Sequence, residues 1–360
     1  MAEALRRVIL FIQGLTEVEL FIKRFLSVVS GVLFLLLAIS FFSRLTMPKY
    51  TSSSREGNLI SEYYVETKAK NRHDVIFVGD CEAYSSFVPP ILWEKYGITS
   101  FVRGSPSQTL AQSVALISET LSYERPRAIV LSVYALCKEE KSSEAYNRMT
   151  LDGMRFSIYK LRAVRESIGK DESIMSYFLP LLRFHSRWKE LSADDFKYLF
   201  SRPRVSHNGY LMEKGVVPCE ADEFENTAYA PPLPQENMQR LSEITKECQE
   251  KGVELILVKS PLCSWRYPWY AEWDCEIEKF AEQYGIKYYN LMYFKEEIGL
   301  DMKHDTYDGG LHLNLYGAEK VTAFFGEVLA SEHGINPKHD VPTESVWEKK
   351  TEEYYKERNR

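Results

Sequence analysis

The side chain best suited to covalent chemistry in this sequence is Cys81, which closely follows a short apolar run. Residues 75–78 read V-I-F-V, and Gly79 and Asp80 separate them from the cysteine. Such a run is typical of a buried parallel strand ending at the carboxyl edge of a sheet, where open α/β folds place their sites. Gly79 is expected to permit a sharp turn. Cys81 would then lie near a helix N-terminus, which favours a thiolate and an oxyanion and is expected to depress the thiol pKa.

A carboxylate and an imidazole that could serve this thiol occur together near the other end of the chain. His312 could take the thiol proton as a general base, and Asp308 could orient the ring. Asp305 is an alternative orienting residue within reach of the same loop. We favour Asp308, because the two glycines at 309–310 leave the backbone free to bring its carboxylate to the ring. The alternative for Cys81 itself is a thiol that merely packs behind the strand.

These motifs together resemble the SGNH/GDSL hydrolase superfamily. Residues 79–82 (G-D-C-E) match its first motif, with cysteine where serine is usual, and residues 308–314 match the loop that supplies its Asp and His. Gly104, in R-G-S-P-S-Q, stands where the family places an oxyanion-hole glycine. The resemblance implies a Cys-His-Asp triad. Backbone N–H groups of Cys81 and Gly104, with Gln108 as a side-chain donor, would hold the oxyanion.

The branch most similar to this chain is the membrane-anchored acyl-transfer proteins of bacterial cell envelopes. These include the D-alanine transfer protein of teichoic acid and the O-acetyltransferase-like proteins of alginate systems, and the resemblance covers residues 74–136 and 253–329. It implies transfer of a small acyl group to a cell-surface polysaccharide or teichoic acid, with a membrane-bound O-acyltransferase as partner. The chain departs from the family in its cysteine, in the D-x-x-x-H spacing and in lacking an asparagine after the third strand. An esterase and an inactive binding protein are therefore the alternative functions.

Composition excludes several other classes of protein. The net charge of −6 argues against a nucleic-acid partner. No C-x-x-C pair, phosphate loop or dinucleotide motif occurs, so we predict no metal and no cofactor. Of the six cysteines, Cys263 and Cys275 are the nearest pair for a disulfide outside the cell. The favoured expectation is six unpaired thiols.

An uncharged stretch at residues 25–42 predicts a membrane anchor. Its 18 residues would span roughly 27 Å at about 1.5 Å per residue, close to the bilayer core. Basic residues before it place the N-terminus inside, so the rest of the chain is expected outside the cytoplasm. The predicted divisions are a leader at 1–24, which could be an interfacial helix, the anchor at 25–43 and a polar tether at 44–72. The tether could contain one helix near residues 59–70. A buried core helix is the alternative for the anchor.

Apolar runs alternate with helical patterns over residues 73–335. This predicts an α/β fold with a three-layer, flavodoxin-like parallel sheet, extended by a mostly helical insertion at 138–235. Strands are expected at 75–78, 99–102, 128–133, 253–258 and 287–290, and Asn314 is predicted to cap the last helix of the sheet domain. The charged tail at 336–360 is expected to be a frayed helix.

Three further groups have open interpretations. Glu82 could support the site or be a solvated residue of the first helical turn. In R-F-H-S-R-W at 183–188, the cationic and aromatic side chains could recognise an anionic or sugar acceptor. The alternative is a helix that packs Phe184 and Trp188 inward while its arginines face water. The aromatic loop at 265–273 could stack on sugars or form a lid.

Overall fold

The computed structural model describes residues 1–49, 56–68, 72–138, 141–220, 232–264 and 270–360. The chain divides into two compact units. The first comprises Met1–Lys49 and Phe178–Arg202, and the second comprises Tyr50–Tyr177 and Pro203–Arg360. Part of the predicted insertion therefore groups with the N-terminal helix, and the remaining domain boundaries stay predictions.

Five parallel strands form the sheet of the second unit. They are β1 (Val75–Gly79), β2 (Ser100–Gly104), β3 (Ala128–Ser132), β4 (Glu254–Lys259) and β5 (Lys287–Asn290). Their order is β2-β1-β3-β4-β5, which is the flavodoxin-like order. The predicted fold class is confirmed, and the carboxyl ends of β1, β2, β3 and β4 bring Gly79, Gly104, Ser132 and Lys259 to one edge.

Successive side chains of β1 face opposite sides of the sheet, and a layer of helices covers each side. Ile76 and Val78 belong to an apolar cluster with α5 (Leu110–Tyr123) and α11 (Gln235–Glu250). Val75 and Phe77 belong to a second cluster on the other face, with α4 (Pro89–Tyr96) and α14 (Leu315–Ser331). Each strand residue is buried because helices cover both faces of the sheet.

The remaining helices complete the two units. They are α1 (Ala2–Thr46), α2 (Leu59–Lys68), α3 (Cys81–Ser86), α6 (Glu144–Leu151), α7 (Ile158–Ser167), α8 (Ile174–Phe178), α9 (Leu181–Phe184), α10 (Ala193–Phe200), α12 (Tyr270–Tyr284), α13 (Lys295–Ile298) and α15 (Val341–Arg358). Short 3-10 segments occur at Glu56–Asn58, Val133–Cys137, His185–Glu190 and Leu291–Phe294.

Two segments predicted to be loosely attached are packed instead. Helix α2 lies within the predicted tether, yet Leu59 and Tyr63 are fully buried. Helix α15 forms the predicted tail, but Trp347 and Tyr354, seven residues apart on one face, are buried as well. Trp347 stacks on Trp93 of α4. The expectation of a frayed tail was wrong because these aromatic side chains anchor the helix to the domain.

Helix α1 is the one helix among the described residues that is long and apolar enough to cross a membrane. The qualifying stretch is Val18–Thr46, whose most apolar window is not buried at all. The predicted anchor at 25–43 lies within it. By length and composition this helix could be a membrane span or a signal sequence, whereas its lack of burial contradicts the alternative of a buried core helix.

Candidate active site

The nucleophile turn joins β1 to α3. Asp80 is the N-cap of α3, and its carboxylate accepts a hydrogen bond from the Glu82 N–H at 3.1 Å. Cys81 is the first residue of the helix and is a free, partly exposed cysteine. A Cβ at Gly79 would lie only 2.6 Å from Cβ of Ser132, and the φ of Gly79 is not positive. The glycine is therefore needed for the close approach of β3 rather than for an unusual turn.

The carboxylate of Asp308 holds the imidazole of His312 and is itself fixed by the backbone of the Asp308–His312 loop. His312 Nδ1 lies 2.6 Å from one carboxylate oxygen of Asp308, and the backbone N–H groups of Leu311 and His312 donate to the other at 3.1 and 2.9 Å. Gly309 and Gly310 have φ of 75° and 94°, which lets the chain fold back over four residues. Burial opposes ionisation, but these hydrogen bonds outweigh it and lower the pKa of Asp308.

Asp305 has a different role. Its carboxylate is completely buried and accepts hydrogen bonds from Lys320 at 2.6 Å and from the Asp301 N–H at 2.9 Å. His304, rather than His312, is its imidazole neighbour, at 2.9 Å. The alternative orienting residue considered from the sequence thus supports the start of the loop instead of the ring of His312.

The thiol of Cys81 lies close enough to His312 to alter its protonation. Burial lowers the pKa of the ring, but Asp308 and Cys81 more than compensate and raise it to about 10. Nε2 of His312 is buried and has no hydrogen-bond partner among the described residues. The thiol is thus a close polar neighbour rather than the donor of a well-formed hydrogen bond. Hydrogen bonds of this kind are often long before a substrate binds.

Two of the three candidate oxyanion donors, Gly104 and Gln108, lie in different surroundings. Gly104 ends β2 and pairs with Gly79, and a Cβ there would lie 3.2 Å from the carbonyl oxygen of Asp80. The backbone of Gly104 therefore lies directly beside the nucleophile turn. The amide nitrogen of Gln108, in contrast, already donates to the Arg103 carbonyl at 3.4 Å and to Ser113 Oγ at 3.0 Å. The expected donor role of Gln108 was wrong, because its polar atoms hold the turn after β2.

Two lysines that the sequence analysis missed converge on this edge. Lys138 forms an ion pair with the buried Asp80, and Lys259 forms one with Glu82 at 2.8 Å. Both Lys259 and Glu82 are almost completely buried. The solvated interpretation of Glu82 was therefore wrong, and burial raises its pKa although Lys259 opposes this. The aromatic ring of Tyr134 lies 4.4 Å from Nζ of Lys138 and 5.2 Å from Nζ of Lys259.

The thiol of Cys81 also affects the pKa of Lys138. Burial lowers its pKa, but the charges of Asp80 and Cys81 outweigh burial and raise it above the ordinary value. Lys138 therefore keeps a positive charge next to the nucleophile turn at neutral pH. A lysine directly after an apolar strand, as in V-E-L-I-L-V-K, is the sequence signal that could have indicated Lys259. No local pattern indicates Lys138.

A disulfide between Cys219 and Cys263 braces the Asp308–His312 loop. Their Cα atoms are 6.3 Å apart, within the usual range, and the Cys263 N–H donates to the Gly310 carbonyl at 2.6 Å. A Cβ at Gly310 would lie 2.4 Å from Cβ of Cys263. The expectation of six free thiols was wrong, and Cys263 pairs with Cys219 rather than with Cys275. The partners are 44 residues apart, so only folding brings them together.

The aromatic loop falls mostly outside the described residues, because residues 265–269 are among those that the structure does not describe. Trp273 lies in α12 and is buried in the core of the second unit. This tryptophan is therefore not available for stacking on a sugar.

Comparison with known proteins gives distant structural likenesses. No family model matches the chain, and no curated protein matches it. A GDSL-like lipase from Bacteroides thetaiotaomicron VPI-5482 is 12% identical to this chain, with a TM-score of 0.39. The match covers 77% of this chain and 100% of the lipase. TesA is 12% identical, covers 71% and 97%, and has a TM-score of 0.36. AlinE4, an SGNH-hydrolase family esterase, is 14% identical, covers 72% and 97%, and has a TM-score of 0.27. At such values these likenesses do not decide the reaction.

Proposed function

We propose that this protein is a membrane-anchored acyltransferase that carries a small acyl group on Cys81. The observation that carries the proposal is the His312 ring, which Asp308 holds at 2.6 Å and whose pKa the neighbouring Cys81 helps to raise. A protonated imidazole stabilises an ionised sulfur beside it, which is the reactive form of a cysteine.

The reaction would proceed in two balanced steps. The Cys81 thiolate attacks the donor carbonyl, the tetrahedral oxyanion collapses, and the leaving group departs with the proton of His312 as a thioester forms. The acceptor hydroxyl then gives its proton to His312 while its oxygen attacks the thioester. The thiolate leaves, and Asp308 keeps the ring oriented throughout.

Lys138 is proposed to stabilise the oxyanion in place of the asparagine that the chain lacks. Its ammonium group is held by Asp80, carries charge at neutral pH and lies near Cys81. Backbone N–H groups of Cys81 and Gly104 would share this role, because a charge and two fixed dipoles at one edge are what a developing oxyanion requires. Losing Lys138 would slow acylation by roughly 10² to 10³, as loss of one such donor does.

The setting of this reaction is part of the same proposal. Helix α1 would anchor the chain in the cell membrane as a single pass and place the catalytic domain outside the cytoplasm. A membrane-bound O-acyltransferase is the proposed source of acyl groups, and a cell-surface polysaccharide or teichoic acid is the proposed acceptor. The Cys nucleophile favours transfer over hydrolysis because serine is the usual choice in esterases of this type.

Acylation of the full-length protein by p-nitrophenyl acetate tests the proposal. We expect mass spectrometry to find one acetyl group on Cys81 as a thioester that hydroxylamine removes. Cys81→Ala should abolish this adduct, and Cys275→Ala, which removes an exposed cysteine of α12, should not. No adduct at Cys81 would overturn the nucleophile assignment. Loss of the acyl group to water, with none passed to an added polysaccharide, would overturn transfer and leave an esterase.

A further inference from the structure

One segment of the first unit leaves several large apolar side chains exposed. Residues 178–202 contain four large side chains with high exposed fractions: Leu182 at 53%, Trp188 at 65%, Phe196 at 47% and Phe200 at 88%. We call these four residues, three of which are aromatic, the aromatic patch. The sequence-based alternative for this segment, with Phe184 and Trp188 packed inward and the arginines in water, was only partly right. Arg183 is exposed and Phe184 is partly buried, but Trp188 is exposed and Arg187 is half-buried against the end of α1.

The segment is fixed to the last turn of α1. Helices α9 and α10 both pack against α1. Arg187 donates hydrogen bonds to the carbonyl oxygens of Thr46, at 2.8 Å, and Met47. Lys49 forms an ion pair at 3.1 Å with Asp195, which also pairs with Arg187 at 3.2 Å. The contacts of Arg187 with the backbone at 46–47 and of Asp195 with Lys49 therefore hold the segment at the end of α1.

This position corresponds to the depth of the lipid headgroups if α1 crosses the membrane. The apolar stretch ends at Phe42, and Thr46 is four residues further on, which is roughly 6 Å along a helix. Each headgroup layer is about 5 to 7 Å thick. The carbonyl groups that Arg187 binds would thus lie within the headgroup layer, and the aromatic patch would lie at or near the same level.

The composition of the segment suits this environment. Tryptophan and other aromatic side chains are enriched at the membrane–water interface, where one end of the ring is in an apolar layer and the other is wet. Residues 178–202 also carry five basic and three acidic side chains, and Arg187 and Lys49 already neutralise Asp195. The excess of basic residues is complementary to anionic phospholipid headgroups.

We infer that the aromatic patch is a membrane-contact surface that inserts into the interface of the bilayer that α1 enters. The segment would act as a second, shallow attachment beside the anchor. It would restrict rotation and tilt of α1 relative to the headgroup plane, because insertion at two separate points fixes an orientation that one helix leaves free. The inference depends on α1 lying in a membrane and does not depend on the chemistry at Cys81.

Quenching of tryptophan fluorescence by brominated lipids tests the inference. The full-length protein is reconstituted into vesicles of phosphatidylcholine and phosphatidylglycerol, with bromine on the upper acyl chains. We expect bromine to quench part of the emission, and we expect Trp188→Phe to lose most of that quenching. Trp347→Phe, which removes a tryptophan buried in the second unit, is the matched control and should retain it.

Adding iodide, which quenches tryptophan that is exposed to water, distinguishes insertion into the bilayer from coverage by a protein partner. A patch in the bilayer leaves Trp188 protected from iodide and quenched by bromine. The triple variant Leu182→Gln, Phe196→Gln, Phe200→Gln should then expose Trp188 to iodide. Equal bromine quenching with and without Trp188 would overturn the inference. Protection from iodide without bromine quenching would also overturn it, because a protein partner would then cover the patch.

Discussion

Replacing Asp308 with asparagine should separate the charge of the orienting residue from the shape of the loop. An asparagine oxygen can still accept from the backbone N–H groups of Leu311 and His312, so the four-residue turn should survive. The side-chain amide, however, carries no charge opposite Nδ1 of His312. The variant therefore removes electrostatic support from the ring with little change in the fold.

The size of the effect follows from the protonation of His312. Raising its pKa from 6.5 to about 10 corresponds to roughly 5 kcal/mol of preference for the charged ring, which Asp308 and Cys81 share. One neighbouring opposite charge raises a pKa by about 1 to 3. Asp308→Asn should therefore lower the pKa of His312 by about 1 to 3 and cost about 1.4 to 4 kcal/mol of stabilisation of the imidazolium.

The pH dependence of stability has a definite sign. A folded-state pKa above the unfolded one means that protonated His312 stabilises the native protein fully below pH 6.5, and that this contribution is lost as pH rises toward about 10. Asp308→Asn should make this contribution smaller, and its loss should be complete at a lower pH than in the unaltered protein. The rate of Cys81 acylation should fall by up to about 10⁴, as in triads that lose the acidic member.

NMR of protein labelled with ¹³C and ¹⁵N at histidine, titrated in detergent micelles, measures the pKa of His312 directly. His312→Gln assigns its resonance. Asp305→Asn is the matched control, because it removes a buried carboxylate of the same loop that pairs with Lys320. It should reduce thermal stability without moving the pKa of His312. A His312 that titrates near 6.5 in the unaltered protein, or one that Asp308→Asn leaves unmoved, would refute the reasoning.

Three further predictions concern the supports of the site and the tail. Gly310→Ala should cost roughly 1 to 3 kcal/mol through positive φ and collision with Cys263, and the melting temperature and acylation rate measured together should both fall. Trp347→Ala should cost about 3 to 5 kcal/mol in urea unfolding, whereas a frayed tail would lose almost nothing. Lys259→Met should cost about 3 to 5 kcal/mol by leaving Glu82 unpaired, and if Glu82→Gln in the same chain restores no stability, the pairing argument fails.

The local signals in the sequence were sufficient for the sheet and for the cap of α14. All five strands were predicted to within two residues at either end. For β1 to β4 the signal was a short apolar run, because parallel strands buried on both faces require apolar side chains, whereas β5 (K-Y-Y-N) is a partly exposed strand. Asn314 caps α14 as predicted, accepting from the N–H groups of Tyr316 and Gly317. Both properties depend on neighbours along the chain, which is why periodicity and residue type reveal them.

The amino-acid sequence by itself determined the apolar helix and the order of strands and helices along the chain. It also placed Cys81, at a helix N-terminus, and Asp308 and His312, on a loop, at one edge of the sheet. The tertiary structure decided which polar atoms remain available there. The amide of Gln108 is occupied by hydrogen bonds within a turn, and Lys138 lies beside the nucleophile turn. The fold also joins Cys219 to Cys263 beneath the Asp308–His312 loop. These pairings join residues far apart in the chain or depend on burial, so no local pattern encodes them.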